Sequence, residues 1–244
     1  MTTKPIIVFV HGPWHTPPLY APFRAALHDL GFEVHIPTLM TMNGVRPPNA
    51  DLYTDSTLIR EYVSSLSALS NALVGLGKQS RQKQGLCGGI SRLVYLSGFA
   101  VREGEFMIDV VREHDHMFMI PPAFDFADDD TVVDRDPKTR LIGHGMESDQ
   151  EKAYLEGLKR WNGKGMYQEL HQVAWREIPV SYVVYTLDMA VPKEYQMYMI
   201  ALMEANGREV EVLEMETSHC GMIRMPMETA DIINEIAERQ LARA

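Results

Sequence analysis

An unbroken β-branched and aromatic run from Pro5 to Val10, within KPIIVFVHG, predicts a strand covered on both faces. After the proline-rich PWHTPP, the stretch Leu19–Leu30 places Phe23, Ala26, Leu27 and Leu30 at helical spacing, and Gly31 follows where a helix end takes a left-handed residue. FEVHIP then predicts a second short strand, stopped by Pro37, which completes a strand, helix and strand crossover. Residues 38–52 have turn composition. From Leu58 through Ile59, Tyr62, Val63, Leu66, Leu69, Leu73 and Leu76 a helical period returns, predicting one long helix that ends near Gly75 or Gly77.

The polar, glycine-rich KQSRQKQGLCGG predicts a loop, and Ser91–Leu96 a buried strand expected to lie beside the first. From about residue 103 to 170 the periodicity fails except in ESDQEKAYLEGLKR, and such an irregular insertion between regular elements suits a cap or lid. Regular order resumes with strand PVSYVVYTLD, helix KEYQMYMIALMEANG closed by Gly207, strand REVEVLEME and a terminal helix in METADIINEIAERQLARA. The alternation predicts a single α/β domain over 1–244 with a mostly parallel sheet and helices on both faces.

Composition narrows the partners. A formal charge of −10 and a pI near 5.4 disfavour nucleic acid and anionic membrane surfaces, both polyanions, and favour a small-molecule ligand. The run that ends in His11-Gly12 lacks a small-residue cleavage site, no apolar stretch reaches the roughly 18 residues of a spanning helix, and two cysteines make no disulfide framework, so a cytoplasmic location is expected. No Walker or dinucleotide glycine motif is present, and no cofactor is expected. His114 and His116 lack a third metal ligand at useful spacing; ADDDTVVDRD lacks the glycine of a calcium loop and reads as a solvated acidic turn. The methionine-rich EYQMYMIALM reads as core packing.

Asp188 and His219 each fall just past the end of a predicted strand, where open parallel sheets bind ligands. A carboxylate that fixes the tautomer of an imidazole makes a general base. The segments around them resemble the α/β-hydrolase superfamily, especially its small esterase-like members: VFVHG leading into PWH resembles the first core strand and oxyanion loop (Gly12, Pro13, Trp14, His15), YTLDMAVP the strand end that bears the acid, and METSHCGMIRMP the loop that bears the histidine. The resemblance covers almost the whole chain, with acid before histidine. It implies Asp188 as orienter and His219 as base in a hydrolase acting on a small ester, lactone or acyl compound, in small-molecule or secondary metabolism.

The family pattern also implies a central strand ending in G-x-S-x-G, with the serine on a sharp strand-to-helix turn. Between Tyr62 and Gly77 the resemblance passes from one helix to the next and omits that strand, a loss of about fifteen to twenty residues. Cys87, in GLCGG, has the spacing of a nucleophile elbow but the inverted context, a polar stretch before it and a strand after it. Ser97, at the end of the predicted strand before Gly98, is the other candidate; Ser67 and Ser70 sit in a helical run without flanking glycines. Pro13 stands where an oxyanion donor is expected and has no N–H. Two further readings follow: a catalytically inactive, ligand-binding relative, in which the missing segment is natural or a splicing or gene-model fault, and a non-hydrolytic lyase or cyclase that uses His219 as base.

Overall fold

The computed structural model describes residues 4–66 and 75–242. In chain order its main elements are β1 (Ile7–Val8), α1 (Ala21–Asp29), β2 (Val34–His35), α2 (Leu52–Leu66), α3 (Lys78–Lys83), β3 (Leu93–Leu96), α4 (Met107–Glu113), α5 (Ile120–Ala123), β4 (Phe124–Phe126), β5 (Thr131–Asp134), a π-helical turn at Lys138–Ile142, α6 (Ser148–Gly157), β6 (Trp161–Asn162), β7 (Val180–Tyr185), α7 (Lys193–Ala205), β8 (Val210–Met215), α8 (Gly221–Arg224) and α9 (Pro226–Ala242). β7 is the central strand of the best-formed sheet. It pairs in parallel with β3 on one side and β8 on the other. All six of its residues are buried, and they alternate between two cores: Val183 and Tyr185 join Phe23, Leu27 and Ile236, whereas Val180, Tyr182 and Val184 join Trp175, Met199 and Met203. Period-two alternation with both faces apolar is what a parallel strand between two helical layers requires.

α1 follows a single turn of 3-10 helix at Pro17–Tyr20 and packs on α9, and Gly31 takes φ +86 at its end as expected. α2 begins at Leu52, six residues before the predicted Leu58, because Asp51 caps it by accepting the Thr54 N–H at 2.9 Å. Its predicted continuation through Leu69 and Leu73, with Ser67 and Ser70, lies outside the described residues. The predicted loop at KQSRQKQGLCGG contains the short helix α3. The buried Arg81 guanidinium donates to the Cys87 carbonyl at 2.8 Å, and Gly89 has φ +126 with no room for a Cβ, which would stand 2.7 Å from the Leu76 carbonyl oxygen. The glycines of GLCGG thus serve a loop that enters β3.

The segment over 103–170 is more ordered than its pattern suggested, with a small antiparallel sheet in which β5 pairs with both β4 and β6. The acidic turn is likewise only partly solvated: Asp129 pairs with Arg46, and Asp134 is buried on Arg140.

The expected neighbour of the first strand is corrected. Among the described residues β1 pairs only with β2, and no ladder hydrogen bond joins β1 to β3. A cavity of about 980 Å³ runs between them, lined by Ile6, Val8 and Val10 on one side and Val94 and Leu96 on the other. Ile6 and Val10 are 45 and 47 % exposed, so β1 is not covered as a buried strand would be. The Ile7 and Phe9 N–H groups are spent on Glu33 and His35, and those of Leu93 and Ser97 on Pro179 and Val183. Alternation therefore aims the amides of Val8, Val94 and Leu96 at the gap.

Candidate active site

The cavity ends at the carboxyl ends of β1, β3 and β7, where Asp188 and His219 meet. Asp188 sits in the turn after β7 with its side chain fully buried; His219, in the loop after β8, keeps 22 % of its side chain exposed. His219 donates its Nδ1–H to Asp188 Oδ2 at 2.7 Å. The same oxygen accepts the Ser97 hydroxyl at 2.5 Å, and Oδ1 accepts the Ala190 and Val191 N–H groups at 2.7 and 2.8 Å. Four donors fill the carboxylate's acceptor sites and fix it. Gln196 secures the surrounding turn by bonding the Tyr185 N–H and the carbonyls of Tyr185 and Val191.

This geometry sets the chemistry of the ring. Nδ1 carries the proton, and Nε2 has no hydrogen-bond partner among the described residues. The residue lines the cavity, so Nε2 is free to accept a proton from a ligand or water. Burial pulls the His219 pKa down, but the charge and hydrogen bond of Asp188 outweigh it and raise the pKa above 6.5.

The nucleophile candidates fall elsewhere. Ser97, fully buried at the end of β3, holds a left-handed φ of +49 that turns its hydroxyl onto Asp188 and away from the role of attacking group on His219. Its hydroxyl holds the carboxylate on Oδ2, the oxygen that His219 also uses, opposite the Oδ1 held by the Ala190 and Val191 amides. Cys87 is exposed in the loop at the opposite end of β3. Substituting Ser97 by alanine is expected to lower kcat/KM by about 10-fold, the worth of one hydrogen bond to a charged group. Complete loss of turnover with an intact fold would return Ser97 to the nucleophile's role.

The loop of Gly12, Pro13, Trp14 and His15 forms a wall of the cavity, with its polar side-chain atoms spent internally. Trp14 has φ +64, donates its indole N–H to the Val132 carbonyl at 3.1 Å and stacks on Phe124. His15 donates Nδ1–H to the Pro13 carbonyl at 2.6 Å and accepts the Tyr154 hydroxyl on Nε2 at 2.8 Å, with Cys220 Sγ 3.4 Å from that nitrogen. Burial drives the His15 pKa down to about 3 and the Cys220 thiol up to about 12, so this cluster is neutral. Pro13 offers no N–H to an oxyanion.

His114 donates Nδ1–H to the Val110 carbonyl, and His116 bonds the Tyr195 hydroxyl. Among the described residues no three histidine, cysteine or acidic side chains gather as a metal site would require, and no helix is long and apolar enough to cross a membrane. The sequence reading missed Arg140, which the cap brings into the same cavity, and the contact of Ser97 with Asp188.

The model of the alpha/beta hydrolase family matches residues 7–232. A probable hydrolase of Phoma sp. is 28 % identical over 245 residues, covering 96 % of this chain and 99 % of that protein. Among solved structures, an extracellular alpha/beta-hydrolase from a Paenibacillus species has a TM-score of 0.70 at 17 % identity, covering 96 % of this chain and 99 % of that one. A variant of tomato methylketone synthase I complexed with β-ketoheptanoate has a TM-score of 0.70 at 18 % identity, covering 98 % of this chain and all of that one.

Proposed function

The chain belongs to the alpha/beta hydrolase family, and from that membership we propose that it is an enzyme acting on a small, largely apolar ester, lactone or related acyl compound of secondary metabolism. In this reading His219 is the general base, Asp188 its orienting carboxylate, and neither serine nor cysteine attacks, since among the described residues no serine or cysteine hydrogen-bonds Nε2 of His219. The observation that carries the reading is the open Nε2 of His219, which faces a cavity of about 980 Å³ while Ser97 Oγ is bound to Asp188.

Without a protein nucleophile, His219 takes a proton from water as its oxygen attacks the carbonyl carbon, then returns the proton to the alkoxide as the acyl C–O bond breaks. A second reading, proton transfer on the substrate itself without hydrolysis, is favoured by the absence of any serine or cysteine on Nε2 of His219 among the described residues; Pro13 weakens hydrolysis in either form. An oxyanion-hole donor is worth roughly 2.7 to 4 kcal/mol of transition-state stabilisation, and this position supplies none. A variant of tomato methylketone synthase I, which shares this fold, is complexed with β-ketoheptanoate, a 3-oxo acid of the kind such a reaction would take.

Fluorophosphonate labelling with adduct mapping tests the proposal, read beside turnover of p-nitrophenyl esters. The expected result is no labelled serine and turnover that depends on His219. An adduct on any serine, Ser67 and Ser70 included, would restore covalent catalysis. Turnover of 3-oxo acids without that of esters would favour the second reading. Loss of both activities in a protein that still binds apolar ligands would make it an inactive relative.

A further inference from the structure

Arg140 reaches the cavity from the cap, and three contacts fix it. Its Nε donates to Asp134 Oδ2 at 2.9 Å, and that carboxylate side chain is only 2 % exposed. Its guanidinium lies 4.7 Å from the centroid of the Phe124 ring. The π-helical turn that bears it is pinned to the loop of His219: the Cys220 N–H donates to the Leu141 carbonyl at 2.8 Å, and Arg224 donates to the carbonyl of His144 at 2.9 Å. At Gly143, which follows the turn with φ +63, a Cβ would stand 3.2 Å from Ser218 Cβ. Cap and His219 loop are therefore joined around this arginine. Single π turns recur at functional sites because the extra residue redirects a side chain.

Asp134 engages the Nε edge alone. Among the described residues neither Nη1 nor Nη2 of Arg140 has a hydrogen-bond partner, although the side chain is only 19 % exposed. These unpaired donors belong to a cavity wall in which the apolar Phe99, Met107, Ile120 and Phe124 stand beside the polar His116, Glu194 and Tyr195, and there they can donate to an acceptor on a ligand. The Nη1/Nη2 pair is the edge that receives a carboxylate in two parallel hydrogen bonds.

We propose that Arg140 binds a carboxylate carried by the substrate, so that the site takes an amphipathic acid with its apolar tail along the gap between β1 and β3. Only the placing of its reactive carbonyl at Nε2 rests on His219 being the base; the carboxylate subsite stands on Arg140 alone. The arginine is close enough to His219 for its charge to oppose protonation of the ring. A bound carboxylate would cancel that influence.

Calorimetric titration with octanoate and with its neutral isostere octanamide tests the assignment on the whole protein without turnover. Wild type is expected to bind octanoate about 10- to 100-fold more tightly than octanamide, the range of a charge-assisted hydrogen bond. Arg140→Gln should lose that preference, Arg140→Lys should keep part of it, and His219→Ala should keep it whole. Equal binding of the two ligands by wild type, binding of neither, or an undiminished preference in Arg140→Gln would each overturn the proposal. The comparison within wild type holds even if a variant fails to fold. Loss of turnover in His219→Ala with octanoate binding intact separates this subsite from the base.

Discussion

Asparagine in place of Asp188 is expected to lower kcat/KM by about 10²- to 10⁴-fold, up to the whole worth of a general base, while leaving the fold intact, because it locks the histidine in the wrong tautomer. The reason lies in the four donors around the carboxylate. The Ala190 and Val191 N–H groups are backbone and cannot turn away, so the amide oxygen of an asparagine must stay with them. Its NH₂ then faces Ser97 and His219. The Ser97 hydroxyl can rotate, but the imidazole answers only by moving its proton to Nε2, where it blocks the cavity-facing acceptor. His219→Ala is expected to cost about 10²- to 10⁴-fold. The pH profile carries the same logic. In wild type, kcat/KM should rise through an inflection above pH 6.5, because Asp188 keeps the ring protonated beyond its ordinary value. In Asp188→Asn the burial that remains should move the inflection below that of wild type. Steady-state kinetics across pH 5 to 9 read both quantities, and a variant with more than a tenth of wild-type activity would sink the dyad.

The parts legible in the sequence are those whose periodicity and burial agree. β7, α7 and β8 form within their predicted segments and α9 starts one residue before its own, since each places apolar residues in one or both of the two cores. The order Asp188 before His219, each past a strand end, likewise comes from local signals. The cap was illegible because its strands are two to four residues long and gain their apolar contacts from distant partners, as Phe124 does from Trp14. Arg140 gave no signal for a related reason: its place depends on Asp134, six residues back, and on Cys220, eighty residues on.

The gap beside β1 teaches the reverse lesson. PIIVFV reads as a covered strand, and the apolar run is real, but strand formation needs hydrogen-bonding partners that a pattern cannot count. With β2 as its only neighbour among the described residues, β1 shrinks to Ile7–Val8. GLCGG shows the same limit, because the spacing of a catalytic elbow arises here from Gly85, which takes φ +73, and Gly89, which makes room for Leu76 and Arg81.

Stability should pass through a maximum near pH 6.5, with the acid side governed by His15. Folded His15 stays neutral until about pH 3, because burial excludes its charged form and its two nitrogens are committed to Pro13 and Tyr154. The unfolded chain binds that proton near pH 6.5. Between these values the unfolded state holds more protons, so stability falls as pH falls, by about 1.4 kcal/mol per pH unit for this group. His11, whose pKa burial also lowers, adds to the loss. His219 acts in the opposite sense: its folded pKa is raised, so its contribution is complete below pH 6.5 and disappears as pH climbs through the folded value. Urea unfolding at pH 7, 6 and 5, above the range where most carboxylates titrate, should show the wild-type decline. In His15→Asn, whose amide can still donate to the Pro13 carbonyl, the slope should flatten by up to about 1.4 kcal/mol per pH unit even though the variant is less stable at pH 7. Parallel lines for the two proteins would mean that His15 takes up its proton in the folded state, and with it that the Tyr154 and Cys220 cluster behind the His219 loop opens to water.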